Sequence, residues 1–303
     1  MTIELGKQSD TSGEVLRTID IDAGRRAFVR SLGFGAAGAT VLAAGAGVPT
    51  DAQAQGISDA DILNFALNLE YLEAEFYLRA SLGRGLFDVD TTGSGARGNV
   101  TGGRQIAFSD PIIRNYALEI ADDEEKHVKF LRAALGGAQV ARPQIDLATS
   151  FTAAARAASV IGPNQTFDAF ANDTSFLLAA FIFEDVGVTA YKGAAPLITR
   201  KDYLAAAAGI LAVEAYHAGE IRTILYSRGI FKETFLISEL RDFADGPADL
   251  DQGIGDATVA NIIPTDANSL AFDRTPAQVI NIVTLGNGSA GGFFPVGLNG
   301  TIR

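Results

Sequence analysis

The chain has only two histidines, and each follows a glutamate by three residues: Glu124-Glu125-Lys126-His127 and Glu214-Ala215-Tyr216-His217. On an α-helix, positions i and i+3 share a face, so each pair can offer one carboxylate and one imidazole to the same ion. Cysteine is absent, which removes disulfides, thiolate ligation and thiol catalysis together. Any metal must therefore be held by carboxylates and imidazoles. That donor set suits iron or manganese and does not choose between them.

Two further glutamates stand where an unpaired charge is costly. Glu184 follows the apolar run 176–183, and Glu70 lies among Leu67, Leu69, Leu72 and Phe76. One glutamate from each of two helices, with Glu-x-x-His from each of two others, is the recipe for a two-metal carboxylate site inside a four-helix bundle. The predicted ligands are Glu70, Glu124, His127, Glu184, Glu214 and His217. Tyr77 and Tyr191 each follow a predicted ligand by seven residues, which hints at an old duplication. They are candidate redox residues, with core packing as the plainer alternative. Glu73 and Glu75 read as surface groups or supports of the site, with Glu73 the substitute for Glu70. Glu125 reads as solvated, Glu220 as an alternative ligand, and Asp123 and Asp185 either as groups that receive an imidazole N–H or orient a ligand, or as solvent-facing acids.

The elements that must carry these residues can be bounded by their caps. Ser58 with Asp61 starts a helix over 59–82, which Gly83 ends. Asp110-Pro111 starts one over 111–135, ended by Gly136-Gly137. Asn172 caps 173–192, and Thr199 caps a fourth helix running to Arg228 before Gly229. The midpoints of these helices lie at about residues 70, 123, 182 and 214, so an antiparallel bundle puts all six ligands in one layer. Residues 83–110 read as a Gly-rich insertion and 136–172 as a crossover with a short helix near 150–159. The tail after Gly229 holds a short helix at 276–285, and 286–300 reads as irregular chain against the bundle.

The 303 residues are 48% hydrophobic and 20% charged, with a net charge of −12. That composition fits a folded chain and argues against nucleic-acid or anionic-membrane partners. Gly24-Arg25-Arg26-Ala27-Phe28-Val29-Arg30, the weakly apolar stretch 31–48 and Ala52-Gln53-Ala54 resemble a twin-arginine export signal, with Gln55 as the first mature residue. The stretch is too short and too rich in Gly for a spanning helix, although a retained anchor is the alternative. The expected organisation is an export signal over 1–54, a bundle over 55–229 and a packed extension over 230–303, in a periplasmic or extracellular protein.

The motifs also carry a family resemblance. Asp123-Glu124-Glu125-Lys126-His127 is similar to the second-helix motif of bacterioferritins. Glu70 with Tyr77 resembles the first-helix pair of ferritins and rubrerythrins. The segments 61–80, 183–198 and 269–300 resemble the exported ferritin-like branch related to plant desiccation-related proteins. The resemblance implies an all-α ferritin-like bundle holding two Fe or two Mn ions. It implies reaction with dioxygen or hydrogen peroxide in defence against oxidative or drying stress. A non-catalytic stress or structural protein with a stabilising or vestigial metal is the alternative. Iron storage is the third reading, against which the insertion and tail argue, because they do not suit a hollow cage. Further copies of the chain are candidate partners.

Overall fold

The computed structural model describes residues 56–303; the predicted export signal and its cleavage site lie outside the described residues. Seven α-helices follow in order: α1 (Asp59–Leu82), α2 (Pro111–Leu135), α3 (Thr149–Ala157), α4 (Asp173–Ala194), α5 (Lys201–Ser227), α6 (Phe231–Asp245) and α7 (Pro276–Val283). The four long ones form the all-α bundle, with α1 lying along α2 and α4 along α5. The caps do what the sequence predicts at three of the four long helices. Ser58 and Asp61 form a reciprocal capping box, Asp110 accepts from the Ile112 N–H, and Asn172 accepts from the Ser175 N–H.

The fourth start differs. α5 begins at Lys201, and Thr199 does not cap it. Instead the Thr199 and Arg200 N–H groups donate to the Asp59 carboxylate in the first turn of α1. A carboxylate from another helix thus holds the α4–α5 turn in place. The crossover and tail helices are shorter than expected, ending at Ala157 and Val283. α6 was not predicted within the extension, because no side chain caps its start at Ile230 and no local signal marks it.

Almost every residue of α1 from Ile62 to Leu78 is buried, because the crossover and tail cover the faces that α2 and α4 leave open. Its polar residues explain how. Asn64 donates to Ala138 O and accepts from Val140 N, which ties down the crossover. Asn68 exchanges two hydrogen bonds with the Asn299 backbone near the C-terminus. The insertion is fixed to the crossover by a short parallel pair, β1 (Val100–Thr101) with β2 (Ile145–Asp146). Buried Glu75 holds Arg79 at 2.9 Å and pairs with Arg142 of the crossover, so it is not a surface group.

The tail also joins the aromatic core: Phe293 packs 5.0 Å from Phe151 and 4.9 Å from Phe183, ring centre to centre. A Cβ at Gly193 would meet Arg274 O at 2.0 Å, so only glycine lets the tail lie this close to α4. One described helix, with its continuation to Leu197, is apolar and long enough to cross a membrane, but most of it is buried inside the protein.

Candidate metal centre

The one-face rule for i and i+3 brings Glu124 and His127 inward from α2, and Glu214 and His217 inward from α5. Glu70 enters from α1 and Glu184 from α4, so all six predicted residues converge and all are buried. His127 Nδ1 lies 3.2 Å from Glu70 Oε2 and 3.6 Å from both Glu124 Oε2 and Glu214 Oε1. His217 Nδ1 lies 3.2 Å from Glu124 Oε1 and 3.5 Å from Glu184 Oε2. The two rings are 6.4 Å apart. Glu124 therefore turns one oxygen to each imidazole. Glu70, Glu124, His127 and Glu214 make one close donor group, and Glu184, Glu214 and His217 make another, with Glu214 common to both.

The tyrosines cross over. Tyr77 on α1 donates to Glu184 Oε1 on α4, and Tyr191 on α4 donates to Glu70 Oε1 on α1. Each phenol fixes one oxygen of a carboxylate and leaves the other facing the centre. Burial, reinforced by the acceptor carboxylate, pushes both phenols well above the ordinary tyrosine range, so they stay protonated donors. Their repeated spacing is thus matched by a repeated, reciprocal contact.

Eight buried donor and acceptor atoms of this group lack any hydrogen-bond partner: Glu70 Oε2, both oxygens of Glu124 and of Glu214, Glu184 Oε2, and Nδ1 of both histidines. Such orphans are costly and rare unless a ligand satisfies them. Electrostatics agrees. Burial raises Glu70 to about 7, with Glu124 adding repulsion and His127 opposing it. Burial also raises Glu184, and it raises Glu214 far more, helped by the surrounding carboxylates. Glu124 goes the other way: burial opposes its charge, but the two imidazoles that face it outweigh that and hold it low. Burial disfavours imidazolium, yet the facing glutamates push His127 up to about 11 and His217 up to about 12. Without cations, this centre keeps protons where cations fit. Four glutamates and two neutral imidazoles match the charge of two divalent ions.

The neighbours sort differently from expectation. Asp123 lies 3.3 Å from His217 Nε2, an arrangement that turns Nδ1 toward the centre. Asp185 faces away and pairs with Arg222 and Arg241. Glu125 is buried rather than solvated, held by Arg84 at 2.7 Å and Lys129 at 2.8 Å. Glu220 is half-buried and joins neither donor group. Glu70 joins the first donor group and Glu73 joins neither; Glu73 is a further buried carboxylate beside the centre.

Gly187, in the middle of α4, belongs to none of the sequence motifs. A Cβ there would meet Glu214 Oε2 at 2.2 Å, so this mid-helix glycine makes room for a central carboxylate. A glycine three residues after Glu184, inside a helix that has no need of one, is the available signal.

Comparison with known proteins agrees with this architecture. The family model described as "Ferritin-like domain" matches residues 58–227. The desiccation-related protein PCC13-62 of Craterostigma plantagineum is 33% identical, over 75% of this chain and 78% of its own. The ferritin-like catalase Nec2 of Nesocodon mauritianus is 31% identical, over 81% of this chain and 85% of its own. No solved structure matches.

Proposed function

The chain belongs to the ferritin-like domain family, and on that footing we propose that it is a dinuclear iron or manganese protein that decomposes hydrogen peroxide. Glu70, Glu124, His127, Glu184, Glu214 and His217 hold the two ions. The observation that carries this reading is the set of eight orphaned inward-facing atoms, all on those six residues. Two such ions supply a two-electron couple, which is what the disproportionation of a peroxide requires.

The protein supplies the rest. Glu124, which faces both imidazoles, and Glu214, common to both donor groups, would offer oxygens to either half of the centre when metal is bound. Tyr77 and Tyr191 fix the terminal carboxylates and keep a proton beside each. Asp123 sets the His217 ring. The catalase named among the relatives supports peroxide over other oxidants. We place the protein outside the cytoplasm on the resemblance of its first residues to a twin-arginine signal, and assign it to defence against oxidative or drying stress.

The test is metal analysis with oxygen-evolution assay on protein loaded with Fe or Mn. The reading requires two ions per chain and peroxide-dependent oxygen release, both lost in Glu124→Ala/His127→Ala. Fewer than one ion per chain after reconstitution rejects it. The 33% identity to a desiccation-related protein favours a second reading, a stress protein whose metal only stabilises the fold. That reading wins if protection of cells persists in the same double variant.

A further inference from the structure

Glu73 is a buried carboxylate that neither the six-residue set nor any ion pair among the described residues uses. It is 5% exposed and stands three residues after Glu70 on α1. Burial and the surrounding carboxylates both disfavour its charge, and no group donates a hydrogen bond to it. Its oxygens are not among the fully enclosed orphans, so a water-sized molecule in the adjoining cavity can reach them and serve as a partner.

The space beside it fits one. A cavity of about 20 Å³ lies between α1, α4 and the tail, and Glu73 is the one polar side chain that lines it. The rest of the wall is apolar, including Leu69, Leu72, Val186, Ile282 and Phe293. Of the lining residues only Ile182 is partly exposed, which marks the outer end. The volume suffices for one molecule of about water's size. At the inner end Gly187 has no side chain: a Cβ there would lie 3.5 Å from Glu73 Oε1 and 2.2 Å from Glu214 Oε2. No side chain therefore separates Glu73 from the carboxylate shared by both donor groups.

We propose that this cavity is the inlet through which hydrogen peroxide reaches the centre, and that Glu73 binds it there by a hydrogen bond. The inference rests on the peroxide reading above and deepens it. An apolar wall rejects ions, because stripping their water costs far more than the cavity returns. The small bore rejects organic reductants. A neutral molecule bearing hydroxyl groups passes both filters and has something to bind at the inner end. The covering is made partly by Ile282, Val283 and Phe293, which gives the C-terminal extension a role in selecting what enters.

A chemical reporter tests the route without metal. The only methionine in the sequence is Met1, so Leu72→Met places a single thioether on the cavity wall of the mature chain. Hydrogen peroxide transfers one oxygen atom to that sulfur and leaves as water, and mass spectrometry reads the added oxygen. Leu67→Met, in fully buried core away from the cavity, is the control. Leu-to-Met exchanges conserve volume, so both variants fold. The inference requires the Met at position 72 to oxidise at least about tenfold faster than the Met at position 67 in metal-free protein; equal rates overturn the route.

The binding role is read separately on the loaded protein. Glu73→Leu should raise KM for peroxide about tenfold at unchanged kcat and metal content, while Glu73→Gln, which still hydrogen-bonds, stays within about threefold. A wild-type KM in Glu73→Leu overturns it. A wild-type chain that binds no metal rejects the proposed function and leaves the methionine comparison to decide the inlet.

Discussion

Glu184 and Asp185 are consecutive on α4 and face two different collections of buried charge. Glu184 points into the bundle, where five carboxylates (Glu70, Glu73, Glu124, Glu184 and Glu214) gather around two histidines, with no arginine or lysine paired to them among the described residues. Asp185 points toward the extension, where three arginines meet three aspartates. Arg222 and Arg241 hold Asp185 at 2.7 and 2.9 Å, Arg241 reaches Asp251 at 2.6 Å, and Arg274 joins Asp245 and Asp251 at 2.6 and 2.9 Å. Arg222 also donates to the backbone carbonyls of Gln252, Gly253 and Asn261.

The second cluster is internally neutral and pins the extension to α4 and α5. The first is compensated only by protons on its own side chains, and eight of its inward atoms are orphaned, against three in the second. The fold neutralises the buried acids of one cluster with its own arginines and leaves the other to side chains that could bind metal ions. The difference between structural and functional charge lies in what is missing at one site and present a few ångströms away on the same helix.

That contrast can be broken in several ways. The largest effect belongs to the neutral cluster. Arg241→Met leaves Asp185 and Asp251 under-compensated in the interior and should cost about 3–5 kcal/mol in urea unfolding. The loosened extension should become protease-sensitive, and a variant as stable as the parent would mean that the cluster does not hold the tail. At the acidic centre the same kind of change should have the opposite sign. Glu214→Gln removes a carboxyl that burial and four neighbouring carboxylates hold protonated in the folded chain, at a cost to folding near neutral pH. The metal-free chain should gain about 1–2 kcal/mol, while bound metal falls by at least one ion per chain.

Gly187→Ala separates the two requirements further. Its new Cβ crowds Glu214 Oε2, so metal stoichiometry should drop, while stability changes by less than about 1 kcal/mol because alanine favours the helix. Full metal loading in this variant would show that Glu214 has room to retreat without letting go. The smallest effect is at the edge of the neutral cluster. Burial and nearby acids raise Asp242 to about 6 in the folded chain, from an ordinary 3.8. A raised carboxyl favours folding when protonated, so its contribution is complete below pH 3.8 and is lost as pH rises through 6. Asp242→Asn should therefore raise Tm by a degree or so at pH 8 and leave it unchanged at pH 3.5, since its amide oxygen can still accept from Leu250 N–H.

Much of the centre was legible because its determinants are local. Two histidines, the i+3 spacing, caps at Ser58, Asp110 and Asn172, and charged residues inside apolar runs are all readable within one helix at a time. Even the layer in which the six residues meet follows from helix midpoints, since bundle helices are commensurate. Two residues misjudged by the same reasoning, Glu75 and Glu125, look like surface charges locally. Their partners Arg142 and Arg84 come from the crossover and the insertion, at separations no periodicity records.

The sequence by itself thus determined the bundle, its chain order and the residues that gather at its centre. Only the tertiary structure decided what surrounds them. The exchange of Tyr77 and Tyr191 between α1 and α4, the space that Gly187 leaves for Glu214, and the cavity beside Glu73 all depend on distances between helices. The Arg–Asp cluster depends on how the tail returns across α4 and α5, and α6 forms there without a capping side chain. The physical reason is common to all four. A helix and its facing residues are specified by neighbours a few positions away, whereas a buried charge is made tolerable, or left wanting, by whatever the rest of the chain brings within about 4 Å of it.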